Sequence, residues 1–188
     1  MINKIDIYPS GEKVAENFTM NEFYCKSVNA PLTHPFDNVL IEAAQSIRDE
    51  YAAPVTITST YRTLLGNLAA GGKSGSLHLT GEAMDFKMSP DKLTELKEDI
   101  RKKGKQFKKL RLLGIRGFGL YPTFVHLDTR GEEYPAANTD SKGSFAFWDM
   151  EKKTAIELDE DKPQKKIVWS TVGIFLLFVL FLLVPSRN

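Results

Sequence analysis

Ser76-Leu77-His78-Leu79-Thr80-Gly81-Glu82-Ala83-Met84-Asp85 decides the reading of this chain, and Phe124-Val125-His126-Leu127-Asp128 answers it about forty residues later. Two of the three histidines lie in these two segments. His78, Asp85 and His126 together offer two imidazoles and a carboxylate. That is the three-ligand set of an open, catalytic zinc site, whose fourth position is left to water. A closed structural site would draw on cysteines, and Cys25 is the sole cysteine here. The pattern reads as a metal-dependent hydrolase.

Working outward, side chains alternate across a strand. Phe124, His126 and Asp128 therefore share one face, and Val125 and Leu127 share the other. Ala83, Asp85 and Lys87 alternate in the same way with Met84, Phe86 and Met88. Two such strands side by side would bring Asp85 to His126, with the His78 loop folded over them. Gly81 allows the tight turn between the two ligands. Neutral imidazole and ionised carboxylate suit zinc. A lone strand histidine is usually a packed or a surface residue, and His34 is read that way.

The remaining elements are mixed. Asp37 begins a helical pattern with Leu40, Ala43, Ala44, Ile47 and Tyr51 on one face, and Pro54 stops it. Residues 54–60 read as a strand rich in branched side chains. Ser89-Pro90 offers a cap and a proline at the first helical position, Leu93, Leu96 and Ile100 follow at helical spacing, and Gly104 ends that helix. Residues 117–121 and 124–128 read as two short strands joined at Pro122-Thr123. No βαβ rhythm appears, so the expected class is α+β, a small antiparallel sheet flanked by helices.

The length suits one domain with a sizeable core. A net charge of +1 gives no reason to expect a nucleic-acid partner, and one cysteine excludes an intrachain disulfide. The first ten residues lack the apolar region of a secretory signal. Three zones are expected: a domain over 1–150, a charged linker over 151–166 and a membrane anchor over 167–184. The last of these, IVWSTVGIFLLFVLFLLV, carries no charge and is just long enough to span a thin bilayer as one transmembrane helix.

The first segment, written Ser76-x-His78-x-x-Gly81-x-Ala83-x-Asp85, with Val125-His126-x-Asp128 after it, resembles the M15 family of zinc DD-peptidases, related in fold to the hedgehog signalling domain. Phe18-Thr19-x-x-Glu22-Phe23 resembles the family's opening segment and Ile47-Arg48 its first helix. Thr58-Ser59-Thr60-Tyr61-Arg62-Thr63 with Asn67 resembles the strand and turn leading into the site. Gly117-x-Gly119-x-Tyr121-Pro122, running into the His126 strand, looks closest to the murein-endopeptidase branch. The resemblance covers roughly residues 17–131.

It implies one zinc ion per chain, bound by His78, Asp85 and His126, and a peptidoglycan stem peptide or crosslink as substrate. The implied activity is that of a D,D-carboxypeptidase or a murein endopeptidase. Arg62 would clamp a substrate carboxylate or form a structural salt bridge. Ser76 would hydrogen-bond near the metal or cap its loop, and Tyr121 would face the substrate. Many relatives carry an acidic general base three residues before the last histidine, where this chain has Thr123. Asp128 could orient His126 or approach the reacting water, and Glu82 is a further candidate. A zinc-containing but catalytically impaired wall-binding or structural membrane protein is the alternative.

Lys152, Lys153, Lys162, Lys165 and Lys166 precede the apolar run and only Arg187 follows it, a bias that would hold the domain on the cytoplasmic face. A wall hydrolase placed there would be a phage lysis enzyme waiting for the membrane to be breached. Otherwise the domain faces the periplasm.

Overall fold

The computed structural model describes residues 4–26, 32–131 and 138–152. The expected anchor and all of the linker beyond Lys152 lie outside the described residues. Glu151, expected in the linker, belongs to the folded unit: it pairs with Arg101 at 2.6 Å and with Lys97 at 3.3 Å. No helix among the described residues is long and apolar enough to cross a membrane.

The first elements are β1 (Lys4–Ile7), β2 (Lys13–Ala15), β3 (Phe18–Thr19), α1 (Met20–Phe23) and β4 (His34–Asp37). Then come α2 (Asn38–Tyr51), β5 (Thr56–Ser59), α3 (Leu64–Ala69), a 3₁₀ turn (Leu77–Thr80) and β6 (Ala83–Lys87). The chain continues through α4 (Pro90–Arg101), α5 (Lys105–Leu113), β7 (Gly117–Leu120), β8 (Val125–Asp128), β9 (Asn138–Asp140) and β10 (Gly143–Asp149).

Asp37 acts as expected, its side chain accepting from the Val39 N–H at 3.1 Å to cap α2. Pro90 opens α4, but that helix ends at Arg101, and Gly104 serves as the N-cap of α5 instead of a stop. The class is α+β. The main sheet has six strands in the order β5-β6-β8-β7-β10-β9. It departs from the antiparallel expectation at one pair, because β10 runs parallel to β7. Two small antiparallel pairs, β1–β4 and β2–β3, lie apart from it.

The sheet has a dry face and a wet face, as the alternation requires. Met84, Phe86, Phe118, Leu120, Val125 and Leu127 are fully buried and pack with Leu40 and Ile47 of α2, Leu96 of α4 and Leu110 of α5. Burial of each such side chain contributes roughly 1.5–3 kcal/mol, so this face is where stability resides. The opposite face carries Asp85, His126, Asp128 and the two glycines of β7. Lys97 is buried against the dry side and donates to the Pro122 carbonyl at 3.0 Å, which props the turn between β7 and β8 from below.

His34 is packed, in line with its reading. Its Nδ1 donates to the Pro35 carbonyl at 3.2 Å, its Nε2 accepts from the Cys25 N–H at 3.0 Å, and the ring stacks on Tyr61 at 4.8 Å. Burial pushes its pKa down, against weaker opposing pulls from the Pro35 carbonyl and Asp6. Gly81 ends the 3₁₀ turn at a φ of +74°, and a Cβ there would lie 2.1 Å from the Pro35 carbonyl oxygen.

Two outcomes follow from these contacts. Gly81→Ala combines a left-handed backbone with a backbone clash and is expected to cost about 3 kcal/mol in a denaturant titration. His34 binds a proton more readily when unfolded, so its contribution to stability is present above its unfolded pKa of about 6.5 and is lost as pH falls below it. The stability difference between wild type and His34→Gln, measured from pH 8 to 5, is therefore expected to shrink toward acid.

Candidate metal centre

Strand register builds the site. Ser59 pairs with Asp85, Asp85 with His126, His126 with Gly119 and Gly119 with Trp148, so five strands place these residues in one row. A register shift between Ile57 and Ser59 turns Ser59 toward the Asp85 face. The 3₁₀ turn brings His78 to the same point, and its backbone carbonyl accepts from the Arg62 N–H at 2.9 Å.

One donor atom each from His78, Asp85 and His126 lies within 4.8 Å of the other two. Their hydrogen bonds identify those atoms. His78 Nδ1 lies 2.5 Å from the Thr60 carbonyl and must donate to it, so Nε2 is the free nitrogen, 3.3 Å from Asp85 Oδ1. His126 Nε2 lies 3.2 Å from Asp128 Oδ2 and donates to that carboxylate, so Nδ1 faces Asp85 Oδ1 at 2.8 Å. One nitrogen of each imidazole and a carboxylate oxygen thus converge on one point. Three acceptors facing one another require a cation or a proton between them, and the donor set fits a divalent metal ion.

Arginine backs each carboxylate. Arg62 donates to Asp85 Oδ2 at 2.5 Å and to the Ser59 hydroxyl at 2.8 Å. Arg130 grips Asp128 through Nε at 2.8 Å and Nη2 at 2.6 Å. Burial works to raise the pKa of Asp85, yet hydrogen bonds with His126 and His78 hold it below the ordinary carboxylate range. Burial likewise opposes the charge on Asp128, and Arg130 with His126 holds its pKa at about 2. Burial alone would lower the pKa of His126, but Asp128 and Asp85 raise it to about 9. Both carboxylates therefore stay ionised, as a metal site requires.

These residues stand in a cleft of about 790 Å³, within the size range of ligand pockets. One wall is the glycine-rich segment 70–76, pinned by buried Asn67, whose amide donates to the Lys73 carbonyl at 2.9 Å. The other wall holds Tyr121, Phe124 and Trp148. Ser76 lines the cleft, but its side chain makes no capping hydrogen bond to the 3₁₀ turn. Tyr121 stacks on Phe124 at 4.3 Å.

Arg62 forms a salt bridge to Asp85 and also lines the cleft. Asp128 is fully buried and sits as a partner of His126. Thr123 is exposed on a bend. Glu82 pairs with Lys4 at 2.9 Å and is absent from the cleft lining. Asp85 and Asp128 are the only carboxylates that line the cleft among the described residues.

Arg130 and Trp148 were missed by the sequence reading. Arg130 follows Asp128 by two residues and was legible from alternation. Trp148 sits twenty residues beyond Asp128 and has no local signal. The spacing of Gly117 and Gly119 was visible but not its meaning: a Cβ at Gly117 would fall 2.0 Å from Asp128 Oδ2, and one at Gly119 would fall 2.5 Å from the Trp148 indole.

Gly117→Ala must therefore displace the carboxylate that orients His126. It is expected to weaken zinc affinity about 10- to 100-fold, read by competition with a chromophoric chelator, while circular dichroism stays native.

A family model described as peptidase M15 matches residues 16–128, more than half of the chain. No curated protein matches it.

Proposed function

The chain belongs to the peptidase M15 family, and on that premise we propose that it is a zinc-dependent peptidase cutting the stem peptides or crosslinks of peptidoglycan. The observation that carries this reading is the convergence of one ligand atom each from His78, Asp85 and His126 in an open cleft. Zinc held there would supply Lewis acidity, polarising the scissile carbonyl and lowering the pKa of water.

The chain's own residues divide the remaining work. Arg62 holds Asp85 Oδ2, so that Oδ1 points at the two imidazoles. The Thr60 carbonyl and the Asp128 carboxylate each accept a hydrogen bond from one imidazole nitrogen and so turn the other toward Asp85. The glycine-rich wall and the aromatic wall leave between them a channel for an extended peptide. The uncharged run over 167–184 would tether this domain to a membrane, with the domain in the periplasm or waiting on the cytoplasmic face until that membrane is breached.

A second reading has one observation in its favour. Thr123 cannot accept a proton at neutral pH, and both carboxylates of the cleft are engaged by arginine. A zinc-containing module that binds the wall without cutting it would look the same.

The test uses full-length protein with purified sacculi. Wild type is expected to carry one zinc per chain and to release muropeptides, with release stopped by chelation and restored by zinc. His126→Ala is expected to lose both metal and release. Asp128→Asn is expected to bind zinc about 10- to 100-fold more weakly and to regain activity as zinc is raised. Activity lost even at saturating zinc would assign Asp128 to the reacting water. Stoichiometric zinc with no release would establish the wall-binding reading instead.

A further inference from the structure

We propose that Trp148, on a strand beyond the span matched by the family model, determines specificity by contacting the substrate: its indole is a platform for the aliphatic face of the residue flanking the scissile bond on the His126 side. The inference rests on the peptidase reading above.

Geometry carries it. Trp148 shares the cross-strand row of Asp85 and His126, with Gly119 between. Adjacent strands lie about 4.8 Å apart, so the Trp148 backbone stands two strands, or roughly 10 Å, from that of His126. The missing side chain at Gly119 lets the indole lie down across the gap, and its ring reaches to 5.3 Å from the His126 imidazole. A peptide residue advances about 3.3 Å along an extended chain. A substrate whose scissile carbonyl meets the His78–Asp85–His126 point therefore sets a neighbouring residue over the indole.

The ring is also held in place before anything binds. Its Nε1 donates to the Tyr121 hydroxyl at 3.0 Å, and the Arg130 guanidinium lies 5.5 Å from its centre. A platform fixed from two sides loses little entropy on binding. Its flat, apolar surface suits CH-rich groups such as the methyl of alanine or the methylene stem of a diamino acid, and gives glycine nothing to hold.

The test compares wild type, Trp148→Ala and Trp148→Phe as zinc-loaded full-length proteins cutting muropeptides released from sacculi by a muramidase. Trp148→Ala is expected to raise KM at least tenfold, with kcat and zinc affinity within threefold of wild type, and Trp148→Phe to restore KM to within threefold. In a Trp169→Phe background Trp148 is the only tryptophan, and after chelation of zinc its emission is expected to shift saturably with added muropeptide. An unchanged KM in Trp148→Ala, or zinc affinity falling in step with its activity, overturns the proposal; the second result would make Trp148 a positioning residue. Should Trp148→Ala fail to fold, Trp148→Phe and the emission shift decide, and emission that muropeptide leaves unmoved while wild type cleaves overturns the proposal. A wild type that neither cleaves nor binds any muropeptide overturns the peptidase reading, and this inference with it.

Discussion

Two carboxylates buried on one sheet face must each find a cation, and the architecture of this domain's wet side follows from that need. Asp85 and Asp128 lie on neighbouring strands, two residues apart in register and shielded from water. Leaving either unpaired would cost several kcal/mol. Arg62 and Arg130 each answer one of them from outside the row, the His126 imidazole bridges the two, and His78 stands against Asp85. The result is a strip of alternating charge with one point where two imidazole nitrogens and a carboxylate oxygen meet. Everything else at the site is support: the Thr60 carbonyl behind His78, the Ser59 hydroxyl behind Arg62, and the space that Gly117 leaves for Asp128.

That support explains the glycines of β7. In a buried central strand a glycine contributes no packing and weakens the element. Here Phe118 and Leu120 supply the packing on the dry face, while Gly117 and Gly119 keep the wet face free for side chains that arrive from β8 and β10. The strand is apolar and heavily built on one side and empty on the other. Its emptiness is what lets an aspartate and a tryptophan from its two neighbours lie against the row of Asp85 and His126.

Much of this was legible in the chain. Period-two alternation around Asp85 and His126 predicts which side chains face the cleft, and the register places those two residues opposite each other. The Asp37 cap, the Pro90 start and the paired strands on either side of Pro122 are local signals, and local signals survive folding. What escaped is non-local. β2 and β3 are two or three residues long, below the length at which a period shows. Gly104 is compatible with ending a helix or with starting one, and the continuing apolar spacing at Phe107 and Leu110 is the only clue that a second helix follows. The parallel pairing of β10 with β7 depends on how the chain returns after β8, which no local pattern encodes. Trp148 reaches the site only through that return.

Buried charge also bears on the choice between a working site and a structural relic. A cluster of two aspartates, two arginines and two histidines is a poor way to stabilise a fold, since apolar side chains of similar volume usually do as well or better. The domain does not need the cluster for its core, which is complete on the other face of the sheet with Phe86, Phe118, Val125 and Leu127. The polar face is therefore not explained by the core. Its imidazoles are turned by Thr60 and Asp128 so that the other nitrogen of each faces one carboxylate oxygen of Asp85, the orientation that a cation between them would need. Such an arrangement has the donor set of a metal site, and the cleft above it, walled by a glycine-rich segment on one side and by aromatic rings on the other, leaves that point open, as a peptidase of this family requires.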